Sequence, residues 1–187
     1  MELRGRRVIV RPATSDDVDA LTAIRETAEV RRWWRGDDVR AETVEHLADD
    51  EVVFCAIEAD GVVVGAIQWH EEEDPEYRHA GLDIYVDPRR HRQGIGLDAI
   101  RTVAQHLIDE LGHHRLTIDP AADNAAAIAC YERAGFRPVG VMRSYERGAD
   151  GTWHDGLLMD LLATELVDDA FVDEFDDGAG ADEGTRT

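Results

Sequence analysis

The sequence predicts an α/β domain, with a mixed, mainly antiparallel central sheet and flanking helices. Three observations support this. Short apolar runs rich in Val and Ile recur along the chain, two of them joined across "ADG" turn chemistry. Two other segments, from Leu97 and from Asp123 or Asn124, repeat apolar residues at helical spacing and end on glycine. The resulting order, β-α-α-β-β-β-α-β-α-β-β, interleaves helices with strands, as a sheet packed against helices requires. With 187 residues, 43% of them hydrophobic, the chain can bury a real core as one domain.

The elements follow in order. Arg6–Pro12 ("RRVIVRP") reads as a first strand ended by proline. Ser15 is a candidate helix cap, with Asp16 and Asp17 in a favourable first turn. Val18, Leu21, Ile24 and Ala28 then continue a helical face to Val30. A polar stretch holding Trp33, Trp34 and Gly36 precedes a short helix near Ala41–Ala48. "VVFCAIEADGVVVGAIQWH" reads as a hairpin, "EEEDPEYRHA" as an acidic loop and "GLDIYVD" as the next strand. From Leu97, residues Ile100, Val103, Ala104, Leu107, Ile108 and Leu111 mark one helix face, stopped by Gly112. "HRLTID" is a strand, and the helix to Ala134 is capped by Gly135. A second hairpin turns around "GADG". The expected boundaries are a domain over 1–166 and an acidic, mobile tail over 167–187.

Charge narrows the partners. The chain carries 20 basic residues, all of them Arg, against 41 acidic ones, for a net charge of -21. That balance disfavours nucleic acid and anionic membranes. It suits a cationic ligand, a surface adapted to high salt, or plain solvated acidity. No run has the length of a membrane span, and the N-terminus lacks the apolar stretch of a signal peptide. Cys55 and Cys130 lie in apolar-periodic segments and are expected as free thiols, which points to a reducing, cytoplasmic setting. The eight histidines show no ligand spacing, so no metal is expected.

The chemistry concentrates in "GLDIYVDPRRHRQGIG", Gly81 to Gly96. Gly94 and Gly96 allow close backbone approach to a ligand just where a helix begins, and helix N-termini favour anions. The arginines beside them add charge-assisted hydrogen bonds, a combination suited to a pyrophosphate. No Lys-Ser/Thr follows, so this is not a triphosphate P-loop, and the third glycine of a dinucleotide fingerprint is missing. A plain glycine turn with solvated arginines is the alternative. Asp83 stands in an otherwise apolar strand, which is unfavourable without a partner or a task. It is either an ion-paired strand-face carboxylate or a group that handles a proton.

"RQGIG", together with "N...AI.CYERAGF" on the later helix, resembles the GNAT superfamily of acetyl-CoA-dependent N-acetyltransferases over about Arg7 to Leu162. His91 departs from the family pattern, which usually has Arg or Gln there. "RRWWRGDD", "HEEEDPEYRHAGLDIYVD" and "TIDPAADNAAAIACYERAGF" are most similar to aminoglycoside 6'-N-acetyltransferases. The resemblance implies that Asp83 orients or deprotonates the substrate amine and that Tyr131 protonates the leaving thiolate. It implies acetyl-CoA contacts at Tyr85, Val86, Arg89, His91, Arg92, Gln93, Gly94, Ile95, Gly96, Asn124, Ala127 and Tyr131. Substrate contacts are expected at Trp34, Glu72, Glu73, Asp74, Asp83 and Asp119. The partner is then a cationic amine, with the protein a monomer or homodimer. Direct attack by an amine needs no cysteine nucleophile, and backbone N–H groups of a splayed strand around Ile84 to Val86 would stabilise the developing oxyanion.

Three alternatives share these motifs. "RVIVRPATSDDVDAL" and "GTWHDGLLMDLL" resemble ribosomal-protein N-terminal acetyltransferases as much as the drug enzymes. A polyamine acetyltransferase shares the acidic-site logic. A non-catalytic acyl-CoA-binding module would bind coenzyme without turnover.

Overall fold

The computed structural model describes residues 1–148 and 150–166, so the tail expected over 167–187 lies outside the described residues. Leu3–Arg4 (β1) and Ile9–Pro12 (β2) form a small hairpin closed by the Gly5 N–H on the Val8 carbonyl at 2.9 Å. Three helices follow, Val18–Arg25 (α1), Ala28–Arg31 (α2) and Val39–Ala48 (α3). The single helix expected to Val30 is therefore broken: the Thr27 hydroxyl donates to the Ile24 carbonyl at 2.7 Å and ends the first piece. Asp38 caps α3 by accepting from the Ala41 N–H at 3.0 Å.

Val52–Ala59 (β3) and Val62–Glu72 (β4) make the expected hairpin. Its turn residues Asp60 and Gly61 have φ of 54° and 75°, the left-handed pair that a tight hairpin turn demands. His79–Val86 (β5), Ile95–Asp109 (α4), Arg115–Ile118 (β6), Ala125–Ala134 (α5), Arg137–Arg147 (β7) and Trp153–Leu162 (β8) complete the chain. The strands form one eight-stranded sheet in the order β1-β2-β3-β4-β5-β6-β8-β7, antiparallel except for β5 beside β6. Among the described residues, no helix is long and apolar enough to cross a membrane.

Side-chain alternation gives the sheet two apolar faces. Cys55, Ile57, Ile67, Trp69 and Leu82 meet Ile100, Val103 and Leu107 of α4 in the larger core. Phe54, Ala66 and Tyr85 meet Leu21, Ile24 and Val30 in the smaller one. A cleft runs between the two systems because β5 and β6 separate. They pair only at Ala80–Leu116 and Gly81–Thr117, after which β5 continues to Val86 with β4 alone. On the far side, the chain leaving β6 is held away by β8, through Leu157 N–H to Pro120 O and Ala122 N–H to Asp155 O, both 2.8 Å.

Candidate active site

The diverging strands open a cleft of about 1260 Å³. N–H groups alternate sides along a strand. The Asp87 N–H bonds the Val64 carbonyl on the β4 side and the Ala80 carbonyl turns toward Thr117, so the N–H groups of Ile84 and Val86 point into the gap. The expected splay around Ile84 to Val86 is present as geometry.

Asp83 lines this cleft and is largely buried. Its Oδ2 accepts from Gln68 Nε2 across the β4–β5 pair at 3.3 Å. Burial pushes its carboxyl above the ordinary range, the charges of Asp119 and Glu146 push the same way, and the Gln68 bond and His70 oppose them. The alternative of an arginine-paired strand carboxylate does not describe this environment. Asp119 also lines the cleft, and its carboxylate pushes the phenol of Tyr145 on β7 up to about 12, with burial adding to the shift.

Tyr131 reaches the cleft from α5 and is 7% exposed. Burial drives its phenol pKa far upward, with Cys130, Asp83 and Asp119 adding to the shift, so it holds its proton at neutral pH. The Cys130 thiol is also raised by burial, and both cysteines are free. Neither is activated as a nucleophile.

The loop from Asp87 to Gly96 is locked before it meets any ligand. Asp87 caps the turn through the Arg89 N–H at 2.9 Å and pairs with the Arg89 guanidinium at 2.6 Å. The His91 ring donates from Nε2 to the Val86 carbonyl at 3.0 Å, tying the loop to the end of β5. Arg92 and Gly94 take left-handed φ of 59° and 78°, which turns the backbone into the start of α4. The first-turn N–H groups of α4 have no intrahelical acceptor. Asp98, in the same turn, accepts from the N–H groups of Arg6, Arg7 and Val8 at 3.1, 2.6 and 3.1 Å, clamping α4 to the N-terminal hairpin.

These residues suit a pyrophosphate-bearing coenzyme. A Cβ added at Gly96 would meet nothing closer than Val86 Cγ2 at 3.7 Å, so protein packing does not require glycine there and the backbone is left open to close approach from the cleft. Arg92 and Arg133 supply cations along the same stretch of cleft, and Arg90 lines it while paired with Asp60 at 3.1 Å.

Trp34, Asp83, Tyr85, Val86, His91, Arg92, Gly94, Ile95, Gly96, Asp119, Asn124, Ala127 and Tyr131 all line the cleft. Asn124 is also the cap of α5, accepting from the Ala127 N–H at 3.2 Å. Five expected residues are placed elsewhere. Glu72, Glu73 and Asp74 are exposed at the far end of the β4–β5 turn, because Glu72 pairs with His79, well past the Gln68–Asp83 level. Arg89 is spent on Asp87, and Gln93 donates to the Arg89 carbonyl at 3.0 Å, neither lining the cleft. Tyr85 was expected on the coenzyme, yet its ring lies in the smaller core, on the α1–α3 face, with Trp34 edge-on at 4.9 Å. Trp33 and Trp34 divide as their adjacency requires: Trp34 packs inward, while Trp33 carries the Arg32 guanidinium at 4.4 Å.

Sequence patterns did not single out Gln68, Tyr145, Glu146, Arg25 or His46, which also line the cleft. The alternation of β4 could have placed Gln68 beside Asp83 once the register was known. Arg25 ends an apolar helix face and carries no such signal.

The family model described as "Acetyltransferase (GNAT) domain" matches residues 7–137. The [ribosomal protein bS18]-alanine N-acetyltransferase of Escherichia coli K12 is 43% identical over 83 residues, 43% of this chain and 53% of that protein, so the match spans about half the relative's length. An aminoglycoside N(6')-acetyltransferase type 1 of Klebsiella pneumoniae is 26% identical over 155 residues, 72% of this chain and 76% of the relative. Among solved structures, Mycobacterium smegmatis RimJ in complex with CoA-disulfide shares the fold with a TM-score of 0.76, at 24% identity over 89% of this chain and 88% of that one. With its family match across the cleft-forming elements, the chain belongs to the GNAT acetyltransferase family.

Proposed function

We propose that the protein transfers the acetyl group of acetyl-CoA to a primary amine, by direct attack within a ternary complex. The observation that carries this is the burial of Asp83 in the cleft wall, where one long hydrogen bond from Gln68 leaves it a stronger base than an exposed carboxylate. Asp83, directly or through a water, takes the ammonium proton. The Ile84 and Val86 N–H groups face the position where negative charge develops on the thioester oxygen. Tyr131, protonated at neutral pH, gives its proton to the departing thiolate. The α4 N-terminus and the arginines beside it hold the coenzyme phosphates.

The acceptor we favour is the 6'-amine of an aminoglycoside. Asp83, Asp119, Glu146 and Glu29 line the cleft and would draw a polycation, and the likeness to the Klebsiella enzyme runs through most of the chain. A protein N-terminal amine has its own support. The identity to the bS18-alanine enzyme is higher, over a shorter stretch, and Arg32 and Arg35 stand in the same cleft, where a polycation gains nothing from them. A panel of acetyl-CoA with tobramycin, an alanine-initiated peptide and spermidine, read by thiol release and amide product, tests the reaction and its acceptor together.

A further inference from the structure

Below Trp34, the α1–α3 side of the cleft holds buried polar atoms that the transfer chemistry does not use. Arg25 is 2% exposed. Its Nη2 bonds the Arg35 carbonyl at 3.0 Å and the Glu42 carboxylate at 2.9 Å, while Nε and Nη1 have no partner among the described residues. The buried Tyr85 hydroxyl, Gln68 Oε1 and His46 Nδ1 are likewise without partners, and all four residues line the cleft. Trp34 stands over the group, edge-on to Tyr85 at 4.9 Å and 5.7 Å from the Arg25 guanidinium. Buried donors are normally satisfied, and several orphans converging on one wall mark a place where a ligand supplies the missing partners.

We propose that Arg25 and Tyr85 form a subsite for an oxygen of the acceptor, which is therefore a primary amine bearing oxygen on the neighbouring carbon. The proposal rests on the amine being handled at Asp83. Glu42 neutralises Arg25, so the wall offers N–H and O–H donors without net charge, suited to a carbonyl or ether oxygen. Asp83 and Tyr85 are alternate residues of β5, so their side chains leave the same face of the strand from Cα atoms ~7 Å apart. An N–C–C–O unit holds its nitrogen and oxygen ~3 Å apart, so an acceptor whose amine sits at Asp83 presents that oxygen to the donors beside it. Gln68 stands opposite Asp83 on β4, its amide nitrogen on that carboxylate and its buried oxygen without a partner among the described residues. Binding turns the Trp34 ring aside.

A peptide N-terminus carries this unit in its first carbonyl, and an aminoglycoside 6'-amine carries it in the ring oxygen. Spermidine lacks it. The test measures kcat/KM of the wild-type chain and of Tyr85→Phe and Arg25→Lys with tobramycin, an alanine-initiated peptide amide and spermidine, together with CoA affinity and Tm of each variant. The expected result is transfer to tobramycin or to the peptide, whichever is the source, at least about a hundredfold better than to spermidine. Tyr85→Phe, which deletes only an unpartnered hydroxyl, lowers kcat/KM for that acceptor about five- to tenfold with CoA affinity unchanged and Tm no lower than in wild type. Arg25→Lys gives a loss at least as large. Spermidine as the preferred acceptor, or an unchanged kcat/KM in Tyr85→Phe, overturns the subsite while leaving amine transfer at Asp83 in place. Transfer to no amine overturns both.

Discussion

Gln68 and Asp83 face each other across the β4–β5 ladder, with the amide nitrogen of one 3.3 Å from the carboxylate oxygen of the other. One long hydrogen bond from a neutral amide does not repay the burial of a carboxylate, so the folded state holds the Asp83 proton more tightly than the unfolded chain does. The contribution of this group to stability is complete below its ordinary value of 3.8 and is lost as pH rises through the higher folded-state value. Asp83→Asn should therefore raise Tm at neutral pH, with the gain shrinking toward pH 4. Thermal melts across that range check it. A variant less stable than wild type at neutral pH would count against a strained, buried base.

Gly96 and Gly94 separate ligand approach from backbone strain. An added methyl at Gly96 meets no protein atom closer than 3.7 Å, so Gly96→Ala should keep or raise stability by about 0.5–1 kcal/mol. It should weaken CoA binding about tenfold or more. Gly94, at φ 78° with Arg7 Nε 3.4 Å from an added Cβ, should instead lose stability on the same change. Paired titrations of CoA and thermal melts distinguish the two positions.

Asp98 holds three backbone N–H groups of the N-terminal hairpin. Asp98→Ala leaves them without an acceptor and should cost about 3 kcal/mol, seen as a lower urea midpoint. An unchanged midpoint would mean that water replaces the carboxylate without penalty.

Asp17 reports on acid stability. Arg11 binds it with two nitrogens, each at 2.8 Å, and Thr14 adds its N–H and hydroxyl, so its carboxyl is lowered from 3.8 to about 2. The sign is opposite to that of Asp83: the stabilisation, about 2 kcal/mol, is present above pH 3.8 and fades as pH falls toward 2. Asp17→Asn should flatten the stability profile over that interval, as equilibrium unfolding at several pH values will show.

Local chemistry made much of the molecule legible in the sequence. The Asp60-Gly61 turn, the apolar stripe of α4, the Gly135 cap and the isolated Asp83 each announce themselves through neighbours close in the chain. What stayed hidden depends on register or on long-range partners. Two-residue β1 is too short for periodicity, and α1 breaks because one threonine hydroxyl finds a carbonyl. The acidic run misses the cleft because β4 is 11 residues long and carries its end past Asp83. Arg89 has the chemistry of a phosphate ligand, but Asp87, two positions away, holds its guanidinium. Gln68, Tyr145 and Arg25 reach the site only through pairing and helix packing, which no spacing rule encodes.

Acetyl transfer from acetyl-CoA to tobramycin, the alanine-initiated peptide and spermidine, run in parallel on wild type and Asp83→Asn with CoA affinity measured on the same samples, tests the central claim most directly. An amide product in wild type, with turnover reduced about a hundredfold or more in Asp83→Asn at unchanged CoA affinity, is the predicted result. Equal turnover in the two proteins, or no acetylated amine from wild type, would contradict it.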